Sequence, residues 1–433
     1  MRHWFKDQDF RSLLKNTSYL AVSKAVAAVA SLATLAFAGR GLGLAQFGVL
    51  ILIASYAQAA GGLSKFQTWQ VVIRYGGRVA ETERQADFKT ATGFALALDA
   101  VSGLVGMVAA IALLPLIGPW FGLEGKQVGY ALIYCTLLPT MAAATPNGVI
   151  RALDRFDLIS WQGTATPIAR AILSGIGWWQ SWSLPAYVAI WYLTDLGGDI
   201  YIWFLAWREL KRRDLLHGIR PTLRPRSLPG AWPFAIQVNL TSSLMSAWGP
   251  IARLIVGGLL GPASAALYRV AASLADSAQK PADLLGRAYY PQLVRMDLTT
   301  KHPWRLMRRA IAASGLFAGI GIALMLIGGK PLLEFAFGRE FVPAYPALLI
   351  MLGVPLLTIV SFPLPSTLYA LDRPDAPLKA RGLATLAYFA IIVPLSHIAG
   401  LQGAAFAFLL ANFLMVAVLA FYLRYEYRRV RAR

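Results

Sequence analysis

Cysteine is nearly absent from this 433-residue chain: the only one, Cys135, lies inside an apolar run, so no intrachain disulfide can form. Histidine is almost as scarce. His3, His217, His302 and His397 are scattered, and no Cys/His spacing resembles a metal site. Charge is thin as well: 14% of residues are charged, against about 25% in an ordinary soluble protein. Acids are the rarer sign, with 21 Asp+Glu against 41 Lys+Arg and a formal net charge of +20. A basic chain invites a nucleic-acid reading, but such binders gather Lys and Arg on a solvated face. Here the basic residues sit between long apolar runs, which excludes soluble enzymes and nucleic-acid modules.

What the chain has in plenty is apolar sequence, 57% of residues, with a mean hydropathy of +0.54. Runs of about 18 or more residues, long enough to cross a ~30 Å hydrocarbon core, recur from end to end. They predict helices over 17–38, 48–66, 90–117, 128–148, 160–180, 184–207, 232–258, 263–283, 308–329, 344–367, 380–399 and 402–423. The expected fold is therefore all-α, a polytopic membrane protein with twelve transmembrane helices. Prolines inside several runs (Pro115, Pro139, Pro167, Pro250, Pro355, Pro394) predict bent spans. The first run lacks an A-x-A-like site before the next polar stretch and reads as a retained helix rather than a cleaved signal.

Basic residues sort by loop. The tails and even-numbered loops hold most of them, among them Arg74, Arg78, Arg84 and Lys89, then Arg208, Lys211, Arg212 and Arg213, then Arg428, Arg429, Arg431 and Arg433. The odd-numbered loops hold Arg40, Lys126, Lys330 and Arg339. Positive flanks stay on the cytoplasmic side, so both termini are expected there. Most of the +20 is thereby assigned to topology anchors facing anionic headgroups.

An internal repeat follows. Ala152-Leu153-Asp154-Arg155-Phe156-Asp157 after span 4 matches Ala370-Leu371-Asp372-Arg373-Pro374-Asp375 after span 10, an offset of 218 residues. At the same offset Leu42-Gly43-Leu44-Ala45 matches Leu260-Gly261-Pro262-Ala263, and Ala54-Ser55 matches Ala272-Ser273. Two six-helix halves are expected, residues 1–215 and 216–433, joined by the basic, proline-bearing stretch Arg208 to Gly230. Because six is even, the halves enter the membrane in the same direction around a central cavity.

The opening Lys15-Asn16-Thr17-Ser18-Tyr19, the turn Gly39-Arg40-Gly41-Leu42-Gly43-Leu44-Ala45-Gln46-Phe47-Gly48 and the Ala-Leu-Asp-Arg loops resemble those of Wzx-type polysaccharide exporters. With twelve spans in two parallel halves, the resemblance covers the whole chain. It implies membership of the multidrug/oligosaccharidyl-lipid/polysaccharide (MOP) superfamily, which also holds the MurJ flippase and the MATE antiporters. The implied function is flipping of undecaprenyl-pyrophosphate-linked oligosaccharide across the bacterial inner membrane for O-antigen or exopolysaccharide synthesis. The implied partners are that lipid-linked oligosaccharide and the membrane, with a polysaccharide polymerase and glycosyltransferases alongside. A monomer suffices, because the cavity lies within one chain.

Ionisable residues inside spans cost about 2.5–3.5 kcal/mol each at a helix centre and need a compensating role. On span 8, Arg269, Ser273, Asp276 and Lys280 share one helix face; on span 7, Asn239, Ser242, Ser246, Gly249 and Arg253 do the same. Lys24 falls on the stripe of span 1 at the repeat offset. Arg offers a planar permanent fork for phosphate oxygens and Lys a point charge, so Arg269, Arg253 and Lys24 are the candidate pyrophosphate ligands, with Arg170 behind them. Asp276, Asp99, Asp195 and Asp199 are candidates for H⁺ or Na⁺ coupling. No cofactor or metal is expected. The structural alternatives are an Asp276–Lys280 pair, a snorkelling Lys24, and a bridge from Asp195 or Asp199 to Arg170. Trp178, Trp179 and Trp182 read as an interfacial belt, with sugar stacking as the alternative.

A MATE-type drug or cation antiporter shares the topology, but its cavity would lean acidic or aromatic. The intramembrane census here is Lys24, Arg170, Arg253, Arg269 and Lys280 against four Asp, favouring an anionic cargo. A membrane-embedded glycosyltransferase would need acids in a large outer loop. The two largest, near 118–127 and 329–345, carry only Glu124, Glu334 and Glu340, so no enzyme is expected.

Overall fold

A computed structural model describes residues 8–76, 85–142, 144–294, 301–371, 373 and 375–431. The anchors Arg78, Arg84 and Arg433 lie outside the described residues, as do Asp372 and Pro374 of the second Ala-Leu-Asp-Arg loop. Every regular element among the described residues is helical: α1 (Gln8–Ser64), α2 (Thr68–Gly76), α3 (Gln85–Ile117), α4 (Lys126–Cys135), α5 (Leu138–Ala142), α6 (Thr145–Ala152), α7 (Phe156–Trp179), α8 (Leu184–Arg212), α9 (Ala231–Leu260), α10 (Pro262–Val294), α11 (Lys301–Phe337), α12 (Tyr345–Met351), α13 (Gly353–Ser361), α14 (Pro363–Ala370) and α15 (Asp375–Arg431), with 3₁₀ turns at Pro119–Phe121 and Arg339–Ala344. In lipid a helix satisfies its backbone hydrogen bonds internally, which is why the apolar runs take this form.

Five helical stretches are long and apolar enough to cross a membrane, six when the bent pair Lys126–Cys135 and Leu138–Ala152 counts as one span. Two of them, Val22–Gly76 and Asp375–Arg429, run for 55 residues. At 1.5 Å per residue that is roughly 80 Å, more than twice a single crossing. Both are interrupted, the first at Gly43 (φ 69°, ψ 170°), the second at Ala399 and Gly400 (φ 55°, ψ −134°). All twelve stretches expected as spans fall on helix, with 128–148 and 344–367 each broken into three pieces. Pro146 opens α6 and Pro363 opens α14, where a missing N–H costs nothing. Gly43 and Gly261, 218 residues apart, both take a positive φ that a side chain would resist.

The chain forms two compact units, Met1–Ile251 and Ala252–Arg433. In the first, Leu50 to Ile53 on α1 are almost completely buried. One cluster gathers Phe88, Val149, Ile150, Ile202, Leu205 and Leu210; another joins Val71, Phe94 and Leu98 to Leu228, Ala231 and Ala235. In the second, Leu364, Leu368, Ala376, Ala380, Leu419 and Leu423 form a core against Trp304 and Met307. Outward faces are apolar too. Leu316, Ile320, Leu324 and Ile327 are exposed along one side of α11, and Val101, Leu104, Val105 and Val108 along α3. Such stripes would be a liability in water and suit hydrocarbon.

Candidate functional site

In the second unit, Arg253 on α9 is buried, 6% exposed. The groups whose fields reach it are Arg269, Tyr268, Asp276 and Tyr388. Arg269 on α10 is partly buried, and Asp276, two turns further along α10, is the acid acting on it. The hydroxyls of Tyr268 and Tyr388, both buried, lie 3.2 Å apart. The structure thus brings together Arg253, Arg269 and Asp276: two guanidiniums share one carboxylate. Like charges in a low-dielectric setting repel strongly, and a ligand with two or more negative charges would relieve that repulsion. The Lys280 side chain lies outside the described residues.

The opposite end of the α9 stripe has a packing role within the first unit. Asn239 Nδ2 donates to the Lys65 carbonyl (3.0 Å), and the neighbouring Ser243 donates to the Leu63 carbonyl (3.4 Å). Ser246 lies against Gly62 so closely that a Cβ there would stand 3.3 Å from it.

Arg170 on α7 is committed to its surroundings. Its Nε donates to Thr194 Oγ1 (2.8 Å), its guanidinium pairs with Asp195, and its charge lies over the Trp191 ring at 5.5 Å. The hydroxyl of buried Tyr134 donates to the other oxygen of Asp195. Asp99 is 2% exposed and holds a broken helix together. Its Oδ2 accepts from the Ala144 and Thr145 amides (both 2.8 Å) and from Thr145 Oγ1 (2.7 Å), while Oδ1 accepts from Thr68 Oγ1 (2.7 Å). That is an N-terminal cap for α6 supplied from α3. Asp199 keeps one enclosed oxygen, Oδ2, without a hydrogen-bond partner among the described residues, and Lys65 is within electrostatic reach of it. Lys65 Nζ donates to the Met141 carbonyl (2.9 Å).

Lys24 is exposed on α1. Its neighbour Ser23 donates to the Ser160 carbonyl and accepts from Thr164, each at 2.9 Å. Both contacts border a cleft of about 410 Å³ that also involves Asp157 and Trp161. Of the three tryptophans, Trp178 stacks on Phe37 (5.7 Å) with Arg40 over its other side (5.4 Å), and Trp179 is exposed. The sequence reading passed over Lys65, Tyr134, Tyr268 and Tyr388. Lys65 looked like a helix flank, and each tyrosine is one of 17 with no pattern to distinguish it.

The Ala-Leu-Asp-Arg loops form one device twice. Arg155 donates from Nε and Nη2 to the two oxygens of Asp157 (2.9 and 2.8 Å) and from Nη1 to Glu209 (2.6 Å). Arg373 grips Asp375 from Nε and Nη2 (3.0 and 3.4 Å) and Glu426 from Nη1. The backbone repeats as well: Arg155 N–H donates to Ile150 O, and Arg373 N–H to Leu368 O. Each clamp ties the start of one helix to the end of the next, α7 to α8 and, within α15, its beginning to its end. The hydrogen bonds from Arg155 hold the Asp157 carboxyl below the usual carboxylate range, and Arg373, then Lys379, do the same for Asp375.

Residues 13–297 match the family described as polysaccharide biosynthesis protein. The inner membrane protein YghQ of Escherichia coli K12 is 40% identical over 350 residues, which span 80% of this chain and 98% of that one. The chain belongs to the polysaccharide biosynthesis protein family. Solved structures share the fold of this family member at low identity. An inward-facing multidrug resistance MATE transporter of the MOP superfamily superimposes with a TM-score of 0.71 at 15% identity, covering 94% of this chain and 96% of the other. The lipid II flippase MurJ, in an inward closed conformation, gives 0.68 at 13%, covering 95% and 90%. These relatives are transporters and flippases rather than enzymes. The all-helical MOP-type fold expected from the sequence is the one found, and the chain is a membrane protein with a transporter architecture.

Proposed function

We propose that this polysaccharide biosynthesis family protein flips undecaprenyl-pyrophosphate-linked oligosaccharide units across the bacterial inner membrane, for assembly into a surface polysaccharide such as O-antigen or exopolysaccharide. In this reading twelve helices span the membrane and both termini are cytoplasmic. The observation that carries it is the pairing of Arg253 with Arg269, two guanidiniums sharing Asp276 within helices of a polysaccharide-family chain. A pyrophosphate is the part of such a cargo least able to enter hydrocarbon alone, and planar guanidinium forks match its oxygens. Lys24, exposed on α1, supplies a further cation. Arg170, already engaged by Asp195 and Thr194, serves the fold of the first unit. Among the acids, Asp199 is the best placed to exchange H⁺ or Na⁺, because Asp99 caps a helix and Asp195 is paired. A polymerase and glycosyltransferases would act on the same cargo.

The test is complementation of a deletion in the native strain, comparing wild type with Arg253→Ala, Arg269→Ala and Lys24→Ala at matched membrane abundance. Expected are accumulation of lipid-linked repeat units in the deletion, restored export with wild type, and failed export with either arginine variant. Intact glycan export in the deletion, accompanied by altered drug sensitivity, would overturn the cargo assignment and favour a drug antiporter.

A further inference from the structure

The second unit contains a basic pocket that the cargo reading leaves unused. It has a volume of about 570 Å³ and lies where the N-terminal turns of α11 and α14 meet the C-terminal end of α15. Arg305, Arg308 and Arg424 line it, all exposed, and no carboxylate is among its lining residues. Trp304 and Tyr427 form one wall, their rings edge to face at 4.5 Å. The floor is Leu364 and Leu423, both buried members of the apolar core of this unit. Polar mouth and greasy floor therefore occur in one cavity, at the ends of helices that cross the membrane. The first unit has no counterpart: at the repeat offset, Arg305 and Arg308 correspond to Asp87 and Thr90, and aligning Glu426 with Glu209 puts Trp207 opposite Arg424. Topology anchoring, which both halves need equally, does not account for a convergence found in one.

We propose that this pocket binds the phosphate headgroup of an anionic membrane phospholipid, separately from any transported cargo. Three guanidiniums with no competing acid match a phosphodiester or a pair of them. The apolar floor takes the first methylenes of an acyl chain, and the Trp304–Tyr427 edge occupies the headgroup level that such rings favour. Basic pockets between membrane helices bind cardiolipin on this principle. Free inorganic phosphate offers the same oxygens without the chain, so the two sources are separable by experiment.

Native mass spectrometry of the purified full-length chain in detergent, titrated with cardiolipin, is the direct measurement. The triple variant Arg305→Gln/Arg308→Gln/Arg424→Gln is compared with a charge-matched one, Arg220→Gln/Arg224→Gln/Arg226→Gln, altered in the polar linker. The pocket variant is expected to bind cardiolipin between about 10-fold and 100-fold more weakly than wild type. The linker variant should stay within about twofold. Equal losses in both variants, or none in the pocket variant, would overturn the proposal. So would displacement of cardiolipin by inorganic phosphate at equal concentration, which would make this a free-anion site. The three single Arg→Gln variants, each expected to lose about fivefold, keep the test decisive where the triple variant fails to fold.

Discussion

Replacing Arg155 with alanine removes three charge-assisted hydrogen bonds at once, two to Asp157 and one to Glu209. Their energies differ because their surroundings differ. The Asp157 side chain is 38% exposed, and a pair so well solvated contributes about 0.5–1 kcal/mol. Glu209 is only 4% exposed, so removing its partner strands a buried carboxylate, which costs about 3–5 kcal/mol in a sealed site. Arg155 is itself a quarter exposed, and Arg213 (3.7 Å) and Arg212 (3.9 Å) remain to soften the loss. The net expectation is about 3 kcal/mol. For a unit of this size it lowers the melting temperature by roughly 6–12 °C, read by thiol-independent thermal shift in detergent. The double variant Arg155→Ala/Glu209→Gln should recover about half, since the stranded charge is gone. The Asp157 carboxyl, depressed in the folded state, stabilises above the ordinary carboxylate pKa and loses that stabilisation as pH falls through its lowered value. The gap between wild type and Arg155→Ala should thus hold steady from pH 8 to pH 5 and narrow below about pH 4. An unchanged melting temperature, or effects of Arg155→Ala and Glu209→Gln that simply add, would refute the clamp.

Arg373→Ala should destabilise in the same direction, and a silent Arg373→Ala beside a damaging Arg155→Ala would show the two loops are not equivalent. Asp99→Ala should lower stability by about 2–4 kcal/mol, because two α6 amides and two hydroxyls lose their acceptor. Asp99→Asn keeps one carbonyl oxygen for the cap and should cost about half as much while leaving export per folded molecule intact; abolished export at normal stability would instead assign Asp99 to ion coupling. Gly41→Ala would place a Cβ 2.1 Å from the Tyr187 hydroxyl and 2.9 Å from its ring carbon. A lower melting temperature is expected, relieved only in part by Tyr187→Phe, since the ring itself still clashes.

Apolar length and the 218-residue repeat made the helical architecture readable without coordinates, and the shared positive φ of Gly43 and Gly261 bears out the offset. The prolines announced bent spans, and 128–148 and 344–367 are indeed the most broken. The loops were recognised as a motif, yet their chemistry was out of reach. Arg155 and Arg373 find Glu209 and Glu426 more than fifty residues downstream, and nothing local in a sequence declares such a partner. Arg170 illustrates the same limit at closer range. Asp195 and Asp199 both stood a helical turn apart on α8 as possible mates, and only packing against Tyr134 and Thr194 selects Asp195. Asp99 looked like a titrating group because burial and function share one sequence signature; the cap for α6 emerges only when α3 and α6 meet.

The two clamps also carry history. Arginine, aspartate and glutamate hold corresponding places in both halves, down to the backbone carbonyls of Ile150 and Leu368 that receive the arginine amides. Independent invention of three side chains and a matching turn is far less economical than inheritance. The fastening was therefore present in a six-helix ancestor, before its gene was copied and fused. An ancestor of that length must have met a second copy of itself to build what one chain now builds alone.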